Sequence, residues 1–362
     1  MIMICLMEPN STFDRTTTDV MERLPTELMV EVVRHSDEPT IHSITIVSSK
    51  YCEIAQPLLF RDINIDKMTT ERLANFVEQL ENSSKLASMI KILIIRTVFT
   101  QELHRRLFTV VSNLEELSMS INFLLSPHYF PNLRRLRFRA FRPGDFNDVV
   151  TNFIPCHKDL DDLEVIFYPN HFTSDSATLC MPPLTESVSS GADRLVTYHG
   201  PIGLLPLLTP NSKMKHLALA QPLDEGTLRK LSSAVSGGLL SLIIDLPNPR
   251  PQAYTLPDPL IPSLFPTLRS VAWLSLDIQS ASVLDQLPHL RRVWLTSTLA
   301  RPQGVEGLVS KILELSDKKT RPLQEIYVHP PWGRPSSFTY SKASINSPWV
   351  RQTGLRIPDP AE

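Results

Sequence analysis

The chain of 362 residues is long enough for two or three domains, or for one small module followed by a repeat array. Hydrophobic residues make up 42% of it and charged residues 20%, a composition that excludes a disordered chain. The formal net charge of −2 excludes a strongly basic protein, so we expect no nucleic-acid partner.

The cysteines and the hydropathy pattern bear on the compartment. Cys5, Cys52, Cys156 and Cys180 are far apart and form no C-x-x-C pair, so they predict neither a zinc ribbon nor a disulfide framework. The apolar start, Met1–Met7, is too short for a signal-peptide core, and no run of about twenty apolar residues follows. We therefore expect a cytoplasmic or nuclear protein with no membrane partner.

A helical segment follows a polar, Thr-rich lead over residues 1–20, which we expect to be disordered. Residues 24–60 read LPTELMVEVVRHSDEPTIHSITIVSSKYCEIAQPLLF. Pro25 suits a first helical turn, and the spacing of Leu24, Leu28 and Val32 predicts one apolar helix face. An Asp-Glu-Pro break and a Ser-Ser hinge then divide the segment into three short helices.

The middle of this segment is ambiguous. Residues 41–47 are rich in β-branched side chains, so propensity alone predicts a strand. A third helix is predicted over residues 50–60.

Residues 24–65 resemble an F-box, in particular that of the large fungal F-box groups. The resemblance is carried by LPTEL, the D-E-P break, V-S-S-K-Y and the closing A-Q-P-L-L-F-R. It implies a helix over residues 41–47, against the β propensity of that segment. It also implies docking on Skp1 and, through Skp1, on a cullin, with the protein acting as a substrate receptor of an SCF (Skp1–cullin–F-box) ubiquitin ligase. The positions that match the family's Skp1-facing or helix-packing residues are Leu24, Pro25, Leu28, Val32, Ile44, Val47 and Tyr51.

One departure and one alternative accompany this resemblance. Tyr51 stands where many members have Trp or Phe, which adds a hydroxyl. Periodicity cannot distinguish a partner-binding face from one that packs on its own chain, so the alternative is a helical subdomain without a partner.

A repeat begins near residue 86, with the template apolar-x-x-apolar-x-apolar. Its copies are Ile90/Leu93/Ile95, Leu114/Leu117/Met119, Leu133/Leu136/Phe138, Leu160/Leu163/Val165, a weaker Ala192/Leu195/Thr197, Met214/Leu217/Leu219, Leu239/Leu242/Ile244, Leu268/Val271/Trp273, Leu290/Val293/Leu295 and Leu323/Ile326/Val328. Successive copies start 19 to 33 residues apart, near the period of leucine-rich repeats. Each copy predicts a short strand whose inward side chains are covered only when neighbouring copies stack.

Before the repeats, residues 69–84 predict a helix that Thr69 or Thr70 can cap and that Asn82-Ser83-Ser84 ends. The stretches between the strands predict further helices, notably over residues 101–111, 227–235 and 305–315. The array resembles the degenerate leucine-rich repeats that follow the F-box in that family. The Asn or Cys that closes such strands is mostly absent and the spacing is uneven, so another α/β domain with parallel strands stays open as an alternative.

The predicted fold class is therefore α/β, in four parts. Residues 1–20 are the lead, 21–66 the F-box-like helical module, 67–330 an irregular leucine-rich-repeat-like solenoid, and 331–362 an aromatic tail that caps the last repeat or binds a partner. Prolines over residues 246–266 predict an extended loop without helix.

No motif for catalysis stands out. The chain lacks a P-loop, a dinucleotide fingerprint, a nucleophile elbow and an H-E-x-x-H pair. The acidic group Asp159, Asp161, Asp162 and Glu164 overlaps a repeat, and we expect it to face water. We accordingly predict no catalytic residue, no cofactor, no metal and no enzyme activity.

The sequence therefore favours an adaptor that holds a protein substrate on the repeats. The basic run of residues 134–142 is interpreted as the solvated face of a strand or as a patch for an acidic partner. The candidate substrate-binding residues, chosen as outward positions of strands, are Arg134, Arg137, Arg139, Lys215, His216, Arg291 and Trp294. The alternative is a non-catalytic scaffold with no working Skp1 contact.

Overall fold

The computed structural model describes most of the chain in short segments. These are residues 25–47, 49–97, 99–120, 128–140, 149–167, 194–200, 213–219, 225–235, 238–244, 260–275, 284, 286–296, 307, 309–314, 323–329, 338–341 and 350–353. The chain divides into two compact units: residues 1–123 with 130–133, and residues 124–129 with 134–362. The division falls inside the predicted repeat array, and the predicted domain boundaries stay predictions.

The first unit is mostly helical. Its elements are α1 (Thr26–Arg34), α2 (Glu38–Val47), α3 (Ser49–Leu59), β1 (Asp62–Asn64), α4 (Thr70–Asn82), α5 (Ser84–Met89), β2 (Ile92–Ile95), α6 (Gln101–Val110) and β3 (Glu116–Ser120). The ambiguous segment around residues 41–47 is helical, as the F-box resemblance implied. Tertiary packing of Ile44 in the helical core overrides its β propensity here.

The three strands of this unit are parallel and adjacent in chain order. Ile63 lies opposite Leu93 and Leu93 opposite Leu117, and all three side chains are buried. The helices after the strands pack their apolar sides inward, as Leu73 and Leu107 do. This is the βα alternation that the sequence predicted.

Hydroxyl side chains begin three of these helices. Thr69 accepts a hydrogen bond from the Arg72 N–H at the start of α4. Ser83 and Thr100 do the same for α5 and α6. Each bond satisfies an N–H group that has no partner inside its helix. The predicted cap of α4 is thus confirmed at Thr69.

The second unit is mostly strand. Its elements are β4 (Arg135–Ala140), a π-helical turn (Val149–Phe153), a 3₁₀ turn (Ile154–Cys156), β5 (Asp162–Phe167), β6 (Thr197–Gly200), β7 (His216–Leu219), α7 (Glu225–Ala234), β8 (Ser241–Ile244), α8 (Leu260–Leu264), β9 (Ser270–Ser275), β10 (Arg292–Thr296), β11 (Glu325–His329), β12 (Phe338–Ser341) and β13 (Val350–Thr353). Residues 309–314 are also helical, within the helix predicted over 305–315.

Strands β4 to β11 are parallel, and each pairs with the next one in the chain. Strand β12 then pairs antiparallel with β11, and β13 antiparallel with β12. These two strands lie in the predicted tail, so part of the tail continues the sheet. The order contains no switch point of the kind that doubly wound α/β folds use for ligands.

One backbone arrangement recurs at the start of the strands. The carbonyl oxygen of Arg134 accepts hydrogen bonds from the N–H groups of Asp161 and Asp162, at 2.8 and 3.0 Å. The same arrangement, one carbonyl oxygen that accepts two N–H groups, recurs in both units. The other accepting carbonyls are those of Arg61, Lys91, Asp161, Val196, Lys215, Leu240, Arg269 and Arg291. It fixes the start of each strand against the preceding one.

The template residues are buried wherever their side chains are described. The exception is the weak copy, where the predicted residues are shifted along the sequence. In the weak copy, Leu163 of β5 lies opposite Tyr198 of β6, so the inward residues there are Leu195, Tyr198 and Gly200. The predicted Ala192/Leu195/Thr197 is three residues too early, and Ala192 lies outside the described residues. Tyr and Gly do not fit an aliphatic template, which hid the true frame.

Gly200 complements Tyr198. A Cβ at Gly200 would lie 2.6 Å from the Tyr198 Oη and 2.9 Å from the Val165 Cβ, closer than real Cβ atoms approach. The large phenol ring of Tyr198 thus fills the space that a third aliphatic side chain takes in the other copies.

The prediction of a helix-free segment over residues 246–266 is wrong at its end, where α8 (Leu260–Leu264) forms. Pro262 lies in the first turn of α8, where a missing N–H costs no intrahelical bond. The rest of that segment and the lead over residues 1–20 lie outside the described residues. No helix in the described part of the chain is long and apolar enough to cross a membrane.

Candidate interaction surfaces

Helix α1 has apolar residues on two sides. Met29 and Val33 are fully buried, whereas Leu28 and Val32 are 54% and 46% exposed. The predicted apolar face therefore exists, but it is not the face that packs on the protein. The sequence analysis assigned the first helix one apolar face and missed the second, which Met29 and Val33 form.

The buried side of α1 packs on α2 and α3. The core that the three helices share consists of Met29, Val33, Ile44, Tyr51 and Ala55, with Ile41, Ile54 and Leu58 partly buried against it. Because this core is filled without Leu28 and Val32, those two side chains remain as an apolar surface, here called the α1 surface.

Asp37 fixes the turn between α1 and α2. Its carboxylate accepts a hydrogen bond from the Thr40 N–H at 3.1 Å, and its carbonyl accepts one from the Ile41 N–H at 3.0 Å. Hydrogen bonding to the Thr40 side chain, and then to its backbone, lowers the pKa of Asp37 below its ordinary value. The acidic residue of the D-E-P break thus acts as a helix cap.

The structure divides the predicted Skp1-binding residues into three groups. Pro25, Leu28 and Val32 are exposed on α1. Ile44 and Tyr51 are buried in the helical core, so in this arrangement they contact neighbouring helices and not a second protein. Leu24 and the side chain of Val47 lie outside the described residues.

In the second unit, charged side chains line the sheet face opposite the buried template residues, here called the outer face. Arg137 of β4 lies opposite Glu164 of β5, which lies opposite His199 of β6. The Arg137 Nε is 3.2 Å from one Glu164 carboxylate oxygen, and the His199 Nδ1 is 3.7 Å from the other. The acidic residues of β5 therefore neutralise the basic run of β4.

Further along the unit the same face becomes apolar. Ala218, Ile243, Trp294 and Tyr327 form a buried cluster on β7, β8, β10 and β11. The rings of Trp294 and Tyr327 stack with centroids 4.8 Å apart, and the Tyr327 hydroxyl donates to a Glu325 carboxylate oxygen at 2.9 Å. Burial, with a smaller effect of Glu325, raises the pKa of Tyr327 to about 12.

The predicted substrate-binding residues are also divided. Arg134, Arg137, His216 and Arg291 are exposed, and Arg139 and Lys215 are half-buried. Trp294 is only 3% exposed, so its prediction as a surface residue is wrong. Alternation along β10 put Trp294 on the outer face, but alternation does not reveal that this part of the outer face is covered.

Two buried histidines escaped the sequence analysis. The Nδ1 atoms of His104 and His157 lie 2.9 Å and 2.8 Å from the carbonyl oxygens of Thr100 and Phe153, four residues earlier. Burial lowers the pKa of each ring, against a smaller opposing effect of its hydrogen bond. Both rings also pack on aromatic neighbours, so their placement is that of core residues.

In the part of the chain that the structure describes, no group of three or more His, Cys, Asp or Glu side chains is placed to hold a metal ion. Cys52 is half-buried and Cys156 exposed, and both are free thiols.

No known family model matches the chain, and no curated protein matches it significantly.

Proposed function

We propose that the chain is a substrate-receptor adaptor of an SCF-type ubiquitin ligase. Helices α1 to α3 form an F-box-like module that docks on Skp1, and the strand units form an irregular leucine-rich-repeat solenoid that holds a protein substrate. The protein itself makes and breaks no bonds in this proposal. It raises the concentration of the substrate near the ubiquitin-carrying subunit.

The observation that carries the proposal is the α1 surface. Leu28 and Val32 occupy the positions that the F-box resemblance assigns to the Skp1 contact, and each is about half exposed on a helix whose other side is packed. Fully burying an aliphatic side chain of this size is worth about 1.5–3 kcal/mol. Two such residues, with the exposed Pro25 beside them, supply a compact apolar anchor for a partner.

The strand order supports the second half of the proposal. Strands that pair in chain order, with the start of each fixed by a carbonyl that accepts two N–H groups, are what stacked repeats require. The outer face carries charged and polar side chains over β4 to β6, which suits a surface that recognises a protein.

The test is a binding titration of the full-length protein with purified Skp1. Leu28→Glu adds a charge where an apolar contact is proposed, so we expect the affinity to fall by at least about tenfold. Asn75→Glu is the matched control, because Asn75 is exposed on α4 and the substitution adds the same charge. Both variants should unfold at the wild-type temperature, since both positions are exposed.

Equal affinity of the wild type and Leu28→Glu would contradict the proposed contact. Complete absence of Skp1 binding by the wild type would leave a scaffold protein that keeps the repeats and has no ligase partner.

A further inference from the structure

The second unit has exposed arginines in two regions, β4 with β5 and residues 213–296. Residues 213–296 contain eight Lys and Arg and six Asp and Glu. The structure describes seven of these cations, Lys213, Lys215, Arg229, Lys230, Arg269, Arg291 and Arg292, and one of the acids, Glu225. Glu225 is already bound to Arg229 at 2.9 Å on α7.

Three of these cations occupy equivalent positions directly before their strands. Lys215, Arg269 and Arg291 each supply the carbonyl that accepts two N–H groups of the next strand. Their backbones are therefore held in one row along the amino ends of β7 to β10, here called the basic edge. With neighbouring strands about 4.8 Å apart, the row spans about 14 Å from Lys215 to Arg291.

Arg269 and Arg291 are exposed and make no ion pair with a described residue. The Lys215 ammonium group lies 3.4 Å from the Gly238 carbonyl oxygen, a neutral group. Arg292, in the adjoining position of β10, is the exception, with its Nε 3.3 Å from a Glu325 carboxylate oxygen.

His216 directly follows Lys215 of the basic edge. Partial desolvation of this exposed side chain, and then the positive charge of Lys215, lower the pKa of His216. His216 is therefore neutral at physiological pH, and Lys215, Arg269 and Arg291 carry the attraction for an anion.

We propose that the basic edge binds an extended acidic segment of a partner protein. Guanidinium groups bind carboxylates through two parallel hydrogen bonds, and exposed cations without an acidic neighbour keep those donors available. An extended peptide rises about 3.3 Å per residue, so about four or five residues cover the edge. Under the proposed function this segment belongs to the substrate, but binding to the basic edge needs no Skp1.

A protein segment fits this edge better than a nucleic acid. Single-stranded nucleic acids are held by exposed aromatic rings on which bases stack. Among the Phe, Tyr and Trp side chains of residues 213–296 whose burial the structure describes, Phe265 and Trp294, both are buried. The chain as a whole is also slightly acidic, at −2.

The experiment measures fluorescence anisotropy of a labelled peptide of about eight glutamates with the full-length protein at low salt, in the absence of Skp1. Arg269→Ser/Arg291→Ser should weaken binding about tenfold, the effect of two exposed charge contacts. The matched control is Arg105→Ser/Arg229→Ser, which removes the same charge from two exposed arginines bound to Glu102 and Glu225. We expect the control to change the affinity by less than about twofold, because it acts only through the screened net charge.

Three results overturn the proposal. They are no binding of the glutamate peptide to the wild type, equal losses in the two double variants, and tighter binding of oligouridylate RNA than of the peptide. Melting curves establish that the variants fold. The charge-reversed Arg269→Glu/Arg291→Glu variant gives an independent readout, since it should bind a lysine peptide that the wild type does not. Failure to bind Skp1 would refute the proposed function and leave all of these results unchanged.

Discussion

Two sets of apolar residues in the first unit follow equally regular patterns and differ in their fate. The template residues of the strands, such as Leu93 and Leu117, are fully buried. Leu28 and Val32 of α1 are about half exposed, although they too repeat at a helical spacing. The difference teaches that periodicity identifies an apolar face, whereas the neighbours of the face decide whether the protein itself covers it.

The first turn of α1 also differs from the first turns of α4, α5 and α6. Helices α4, α5 and α6 each begin with a hydroxyl that binds a first-turn N–H. Helix α1 begins after Pro25, without any side-chain bond at its start. Each of these three helices thus has a side-chain partner for a first-turn N–H, while α1 has none and leaves Leu28 and Val32 half exposed.

The largest expected effect tests this contrast directly. Leu93→Ala leaves a cavity beneath the sheet and should lower the free energy of unfolding by about 2–5 kcal/mol. Leu28→Ala should lower it by about 1 kcal/mol or less, because about half of the side chain is already in water. Urea denaturation of both variants measures the difference. Similar losses in the two variants would mean that the chain itself covers the α1 surface.

A second substitution shows how tightly the strand region is filled. Gly200→Ala places a methyl group against Tyr198 and Val165, and overpacking of this kind costs about 1–3 kcal/mol. Gly307→Ala is the control: no atom lies within 4 Å of its new methyl group, and alanine favours a helix by about 0.5–1 kcal/mol over glycine. Opposite shifts in melting temperature are expected, and a neutral Gly200→Ala would show a looser core.

The buried histidines His104 and His157 predict that the free energy of unfolding depends on pH. Burial holds the pKa of His104 and His157 below the ordinary 6.5, so below pH 6.5 the unfolded chain binds protons that the folded protein does not. Stability should therefore fall as the pH drops from 6.5 toward the folded pKa values, by at most about 1.4 kcal/mol per pH unit for each ring.

Urea titrations between about pH 7.5 and about pH 5.5 measure this slope. His104→Gln and His157→Gln should each flatten it. His35, directly after α1, has a side chain that is 83% exposed. His35→Gln should therefore leave the slope unchanged. An unaltered slope in all three variants would assign the pH dependence to other groups.

The smallest expected effect concerns the helix starts. Thr69→Ala removes the hydroxyl that accepts from Arg72 and should lower the stability by about 1 kcal/mol. Pro25→Ala removes no side-chain bond at the start of α1 and should cost less. Thermal melts compare the two; a larger loss at Pro25 would show that the entry into α1 depends on the fixed φ of proline.

The strands and their inward residues were accessible to prediction because each copy repeats the same physical requirement. An aliphatic side chain every second residue must be covered, and Leu136, Leu163 and Leu217 are covered as predicted. The inward residues around Tyr198 were predicted wrongly because a large aromatic ring beside a glycine fills the volume that two aliphatic side chains fill in the other copies. Trp294 was misplaced because burial on the outer face depends on the rest of the chain.

The helical segment was predictable to a similar extent. The break at Asp37 and the helix before it followed from local chemistry, whereas the helix after it was implied by the F-box resemblance against its β propensity. The sequence could not separate Leu28 and Val32, which stay exposed, from Ile44 and Tyr51, which do not, because all four satisfy an apolar pattern. The basic edge was equally inaccessible, since Lys215, Arg269 and Arg291 are distant in sequence and become neighbours only through strand pairing.

Directly before these strands a carbonyl oxygen accepts two N–H groups of the next strand. This arrangement makes the alignment of the strands independent of the segments that connect them. Since Asp161 fixes the start of β6 through Val196 and Thr197, the number of residues between β5 and β6 has no part in the register. Segments between strands can therefore lengthen, shorten or change composition during evolution while the strands keep their alignment. Such a chain can acquire a new binding surface by insertion without having to invent a new fold.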